Sequence, residues 1–202
     1  AGHDKVLPIY ILDDISSGDY AMGGASRLWL HYSLQSLNQS IGQHLSIYRG
    51  DARLIIHALL ERFDVEAIYW NRCYEPWRLE RDSSIKAHLK SIGVYVETFN
   101  ASLLWEPWNI KKDDGSIYKV FTPFYRKGCM HAEAPRFPLA KPEGVRYVRD
   151  QSQEGIDSLD LLPKERWGET VKDHWNMGEY DAHLCLKSFF KEGIYDYKEG
   201  RN

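Results

Sequence analysis

Cysteine is scarce in this chain: its 202 residues hold three, at Cys73, Cys129 and Cys185. They are odd in number and far apart, with no Cys-x-x-Cys pair, which excludes a disulfide framework and argues against structural zinc. The eight histidines are scattered, and only Cys129 and His131 are spaced like a ligand pair, so no metal site is expected. Charge of one sign is lacking too. A net charge of −3 gives no electrostatic footprint for nucleic acid. No apolar run nears the ~18 residues of a membrane span, and no stretch has signal-peptide character. A reduced, cytoplasmic setting with no membrane partner is therefore expected. Glycine-rich chemistry is also missing. No Gly-x-Gly-x-x-Gly follows a strand, and there is neither a Gly-x-x-x-x-Gly-Lys-Ser/Thr loop nor a Gly-x-Ser-x-Gly elbow. Internal repeats and low-complexity tracts are absent.

What remains is an ordinary globular composition, 43% hydrophobic and 27% charged, with enough apolar residues for a sizeable core. The run from Val6 to Leu12, bounded by Asp13 and Asp14, predicts a buried parallel strand that tolerates Pro8 in its first half. Ile15 to Ala25 is loop. Ser26 then suits an N-cap, Leu30, Leu34, Leu37 and Ile41 recur at helical spacing, and Gly42 is the stop. Residues 45–48 predict a short strand. Asp51 caps a second helix with Ile55, Ile56, Leu59, Leu60 and Phe63 inward. Residues 67–70 predict the next strand. A helix from Pro76 to Ile92 follows, with Ile85, Leu89 and Ile92 inward and Gly93 at its end. Residues 94–99 form a fourth strand, whose Glu97 suggests a place near an edge. Strands alternating with helices of this length mean βαβ units and a mostly parallel sheet.

After Phe99 the pattern changes. Leu103 to Trp108 is irregular, and Lys111 to Gly115 is a polar turn. Thr122 and Pro123 suit an N-cap and first helical residue. Pro135, Pro138, Pro142 and Pro163, with the stretch from Gln151 to Asp160, predict a partly mobile linker. Periodicity returns from Glu179 to Lys191, where Ala182, Leu186 and Phe189 or Phe190 form one apolar face before Gly193.

Chemistry-bearing residues concentrate in residues 67–82. There a strand ends near Trp70, a polar turn carries Asn71, Arg72 and Glu75, and a helix opens at Pro76. In open α/β sheets ligands bind at the carboxyl ends of strands, and a helix start adds a positive dipole end. Arg49 and Glu75 both follow predicted strands, hence lie on the same rim. Either they form a rim salt bridge, or Glu75 accepts from a heterocycle while Arg49 donates to it. Trp70 and Trp77 offer stacking surface in the second case. Gly23 and Gly24 open a helix and suit a loop hinge or, in a free-standing nucleotide-binding domain, a phosphate contact.

Asn71, Glu75-Pro76-Trp77 and Arg81-Asp82 resemble the corresponding stretch of the DNA photolyase and cryptochrome family, in its N-terminal antenna domain. Tyr118-Lys119-Val120-Phe121-Thr122-Pro123-Phe124 is similar to the signature that closes that domain. Trp175, Gly178 and Glu179, with Ala182, Leu186, Phe189, Tyr197 and Arg201-Asn202, resemble the entry into the family's helical FAD-binding domain. The resemblance implies a Rossmann-like doubly wound parallel sheet as the antenna domain over residues 1–125. It further implies a linker over 126–175 and the start of the helical domain over 176–202. The family opens with a strand and a Phe-Arg-x-Asp-Leu-Arg turn that this chain lacks, and it continues well past Asn202. The expected identity is thus a piece of a longer protein, inactive alone, that needs the opening strand and the helical domain as partners.

For the whole protein the resemblance implies a deoxyribodipyrimidine photo-lyase. Such an enzyme absorbs blue light through an antenna pigment, passes the excitation to reduced FAD and splits a pyrimidine dimer in damaged DNA by electron donation. A cryptochrome-type blue-light sensor is the alternative. The family's pigments are a methenyl-folate, a deazaflavin or a flavin. Folate-type members often carry Asn-Glu where this chain has Trp77-Arg78, so the pattern is nearer the deazaflavin or flavin type. There, positions matching Arg49 and Glu75 touch the heterocycle, and Asn71, Trp77 and Arg78 complete the expected cofactor-binding set. No catalytic residue is expected within these 202 residues.

Overall fold

The computed structural model describes residues 3–152 and 154–200. Ala1, Gly2 and the Arg201-Asn202 motif lie outside the described residues. The chain gathers into two compact units, one of residues 1–62 with 144–202 and the other of residues 63–143.

In the first unit, β1 (Ile9–Leu12) pairs in parallel with β2 (Ser46–Arg49), Ile9 opposite Ser46 and Leu12 opposite Arg49. The helix α1 (Gly24–Ser40) joins them, as parallel pairing requires a crossover. Its N-cap is Gly23, three residues before the expected Ser26, and it ends where Gly42 adopts φ +67°, a conformation that costs glycine little. Its buried face is Leu28, His31 and Leu34; Leu37, expected inward, is exposed. The helix α2 (Ala52–Arg62) is capped by Asp51, whose Oδ1 accepts from Arg53 N at 2.8 Å, and buries Ala52 and Leu59. Narrower buried faces than periodicity predicts follow from β1 and β2 being a pair of strands and not a wide sheet.

The stretch expected as a mobile linker instead supplies core and strand edge. Ile156, Leu159 and Leu161 pack with Leu12, Leu34, Leu45 and Ile47 in one cluster, and Leu159 is almost fully buried. Upstream, Val6 N donates to Arg146 O at 3.0 Å and Val148 N to Val6 O at 2.9 Å, a parallel bridge to Tyr147. Proline density predicted a spacer, but three well-placed aliphatic residues bury enough area to overcome the entropy of ordering it. The α5 helix (Trp167–His174) packs Gly168 against Leu28 and Pro163, and α6 (Glu179–Ser188) packs on α1 while burying no side chain of its own.

In the second unit, β3 (Ala67–Asn71) pairs in parallel with β4 (Tyr95–Phe99), Ala67 opposite Tyr95 and Asn71 opposite Phe99. The helix α3 (Pro76–Ser91) joins them and buries Ile85 and Leu89, while Val96 is buried from β4. Ile92, expected inward, serves as the C-cap and is exposed. All four predicted strands therefore exist and run in parallel pairs, hydrogen-bonded as two two-stranded sheets. Beyond Phe99 the chain is irregular until α4 (Phe121–Pro123), whose N-cap is Val120 rather than Thr122. Gly128 lies so close to Ile110 and Tyr118 that a Cβ there would sit 2.6 Å from Ile110 Cγ2.

Candidate functional site

β3 ends at Asn71 and α3 begins at Pro76. The four residues between them line an open cleft of about 520 Å³, completed by Arg78 and Ser102. Pro76 fits the first helical position because its φ is preset and no N–H is needed there. Glu75 is the N-cap in extended backbone, yet its carboxylate makes no capping hydrogen bond, and the first turn of α3 carries no acid. The Glu75 carboxylate is thus the negative charge beside the positive end of the helix, at the cleft.

Arg78 reaches both Cys73 and Glu75 across the cleft lining. Its Nη1 lies 3.6 Å from Cys73 Sγ and 3.7 Å from Glu75 Oε1, and its guanidinium sits 5.0 Å from the Trp77 ring centroid. Arg81 covers the same ring at 5.1 Å and pairs with Asp82 at 2.8 Å. Trp77, expected as stacking surface, is thereby engaged by two cations of its own helix. Trp70 is half-buried within β3, and Asn71 is exposed at its end.

A second group, outside the expected set, holds the cleft wall. Glu106 is buried and its Oε1 accepts from Arg72 Nε at 2.5 Å and from Tyr74 O–H at 2.6 Å. Arg72 also donates through Nη1 to the Thr98 carbonyl and, at 3.0 Å, to Thr98 Oγ1, while its backbone N–H extends the β3–β4 ladder to Phe99 O at 2.9 Å. Burial alone would raise the Glu106 carboxyl; the hydrogen bonds from Tyr74 and Arg72 and the Arg72 charge outweigh it and hold it below its usual range. Burial and the same carboxylate push the Tyr74 hydroxyl up. One sequence signal could have found this group: a lone carboxylate between Trp105 and Trp108 in an apolar stretch needs a partner if buried.

Arg49 belongs to the other unit. It ends β2, half-exposed, with Nη2 at 3.7 Å from Asp14 Oδ2, and Asp14 also binds Arg27 at 2.9 Å. The structure thus brings together Glu75, Trp77 and Arg78, and gives Arg49 a partner of its own. Gly23 and Gly24 open α1, and a Cβ on Gly24 would meet the Trp167 ring at 3.2 Å, so close packing accounts for this glycine. Among the described residues no group of His, Cys, Asp and Glu could hold a metal ion, and no helix is long and apolar enough to cross a membrane.

The family model described as DNA photolyase matches residues 1–143. A deoxyribodipyrimidine photo-lyase of Agrobacterium fabrum is 32% identical over 98% of this chain, and Cryptochrome-2 of Arabidopsis thaliana is 27% identical over 98%. Among solved structures, a bacterial class III photolyase from Agrobacterium tumefaciens superimposes with a TM-score of 0.87 at 31% identity over 98% of the chain. An archaeal photolyase from Sulfolobus tokodaii, described with two FAD molecules and a novel light-harvesting cofactor, shares the fold with a TM-score of 0.59 at 20% identity over 81% of the chain. The chain spans 41% of the Agrobacterium fabrum protein, 34% of the cryptochrome, and 41% and 36% of the two solved chains. With the family model covering well over half of its length and the fold of the family's N-terminal domain, the chain belongs to the DNA photolyase family.

Proposed function

We propose that the cleft at the end of β3 receives the antenna pigment of a blue-light-driven DNA photolyase. The observation that carries this reading is the convergence, within one open cleft at the start of α3, of the Glu75 carboxylate and the Arg78 guanidinium. A carboxylate that accepts from ring N–H groups, beside donors for carbonyls or an anionic tail, is what a flavin-like heterocycle requires. Trp77-Arg78 in place of Asn-Glu favours a deazaflavin or flavin over a methenyl-folate, with Asn71 at the rim. The resemblance implies Arg49 as a further contact.

The whole protein is proposed to be a deoxyribodipyrimidine photo-lyase that uses reduced FAD to split cyclobutane pyrimidine dimers in damaged DNA, in the cytoplasm. Support comes from the 32% identity to the Agrobacterium fabrum enzyme. Its division into an antenna domain (1–125), a linker (126–175) that packs Ile156, Leu159 and Leu161 into the core and is no mobile spacer, and the start of a helical FAD domain (176–202) is part of the same proposal. α6 buries no side chain, and Leu184, Leu186 and Phe190 are exposed, as expected of helices whose packing partners belong to that domain. Two-stranded parallel sheets are marginal by themselves, which supports an opening strand as a further partner. A cryptochrome-type sensor is the second reading, favoured by the 27% identity to Cryptochrome-2.

Titrating a deazaflavin, FMN and methenyl-folate into the 202-residue protein, followed by absorption at 350–450 nm, tests the pigment site. Tight folate binding with none of the other two would overturn the pigment class. Light-dependent dimer splitting by the full-length protein separates photolyase from sensor, and this chain alone is expected to show none.

A further inference from the structure

We propose that Glu106 is the positioning residue of the cleft, a single buried carboxylate oxygen that grips Arg72 and Tyr74 and so fixes the wall on which Cys73 and Glu75 are presented. The inference rests on the pigment reading for its purpose, not for its geometry. Cys73 lies between the two gripped residues, so both of its flanks are tied to one atom 32 and 34 residues away in sequence. Arg72 is fastened twice more, to Thr98 and through its backbone to Phe99, so the carboxylate connects the wall to β4 as well. The segment that carries Glu106 is itself held: Ile110 is buried, and Glu106 O accepts from Asn109 N at 2.9 Å. Trp108 lies with Arg72 5.7 Å from its ring centroid and Tyr74 at 6.4 Å between ring centroids, closing the aromatic side of the same group.

Of the residues between Asn71 and Pro76, Arg72 joins the strand ladder through its amide and Glu75 accepts from Leu79 N at 2.9 Å as the helix begins. Cys73 and Tyr74, between those two anchors, are placed by side-chain contacts. A site that orients a ring needs such a second layer, because a contact residue on an untethered loop loses its geometry. Glu106 acts on the cleft through Arg72 and Tyr74 and is not a pigment contact.

The experiment compares the wild-type chain with Glu106→Ala, Glu106→Gln and Tyr74→Phe. Alkylation of each cysteine is timed by mass spectrometry, and FMN binding is followed by affinity and by the induced circular dichroism of the flavin band. Cys129, buried, and Cys185, exposed, are internal controls for global unfolding. Glu106→Ala should raise the Cys73 rate severalfold with the Cys129 rate unchanged, weaken FMN binding about tenfold and shrink the induced band. Glu106→Gln, whose amide oxygen still accepts both hydrogen bonds, should recover most of each. An unchanged Cys73 rate in Glu106→Ala overturns the proposal. If that variant does not fold, Tyr74→Phe decides, and an unchanged Cys73 rate there is equally fatal. A raised Cys73 rate with no FMN, deazaflavin or folate bound by wild type upholds the positioning role and overturns the pigment reading.

Discussion

Tyr48 and Asp150 stand 102 residues apart in the chain, and the tyrosine hydroxyl donates to Asp150 Oδ2 at 2.8 Å. The same buried carboxylate accepts from Arg62 Nη2 at 2.8 Å and from Ser152 N at 3.0 Å, and the Asp150 N–H donates to Ser46 Oγ at 2.9 Å. Three of these bonds, from Tyr48 and to Ser46 on β2 and from Arg62 at the end of α2, tie the returning chain to those elements.

Removing this anchor should be costly and pH-dependent. Burial alone would raise the Asp150 carboxyl, but hydrogen bonds from Arg62, Tyr48 and Ser152 hold it far below its ordinary 3.8. The folded state therefore binds fewer protons than the unfolded one, so this stabilisation is complete above about pH 4 and is lost as pH falls further. Asp150→Ala should cost about 1–3 kcal/mol at neutral pH by leaving Tyr48 unpaired. Urea unfolding at pH 7, 5 and 3 checks both points, with the decline at low pH shallower in Asp150→Asn than in wild type.

His31 titrates in the opposite sense to a stabilising histidine. It is almost fully buried on α1, its Nε2 lies 3.0 Å from Gln35 Nε2 and 3.9 Å from Asp157 Oδ1, and it meets Tyr32 edge-on. Burial lowers its pKa more than Asp157 raises it, with Lys172 adding to the depression. Protonation thus favours the unfolded state, and stability should fall as pH drops below 6.5. The urea midpoint of wild type should decline from pH 8 to pH 5.5 by more than that of His31→Gln.

Gly128→Ala should destabilise by about 1–3 kcal/mol, the usual cost of overpacking. Its new methyl group would meet Ile110 Cγ2 at 2.6 Å and Tyr118 Cε2 at 3.2 Å. Ile110→Ala in the same protein deletes the Cγ2 atom that clashes, so the loss in the double variant should be smaller than the sum of the two single losses in a thermal scan. Strict additivity of the two losses would sink the account.

Glu75→Ala and Arg78→Ala should each weaken pigment binding about tenfold, the worth of one charge-assisted hydrogen bond. Because the pair is partly exposed and 3.7 Å apart, folded stability should change by no more than ~1 kcal/mol. Isothermal titration and thermal melts on both variants check this. Arg49→Ala, run in parallel, shows whether the contact implied by family resemblance exists.

The sequence by itself determined the alternation of elements, because hydrophobic periodicity, Asp51 and Pro76 at helix starts and Gly42 at a helix end are local properties. It also identified the β3–α3 junction, since a strand end meeting a helix start with a carboxylate and guanidiniums is visible within sixteen residues. Only the tertiary structure decided which faces are buried, and it moved the inner face of α1 to Leu28, His31 and Leu34. It turned residues 156–161 from spacer into core, because burial depends on neighbours over a hundred residues away that no local window contains. It also revealed Glu106 as the tie between Arg72 and Tyr74 and left Trp77 covered by arginines. Periodicity records what one segment prefers, whereas the partner of a buried charge is fixed only when distant segments come within hydrogen-bond reach.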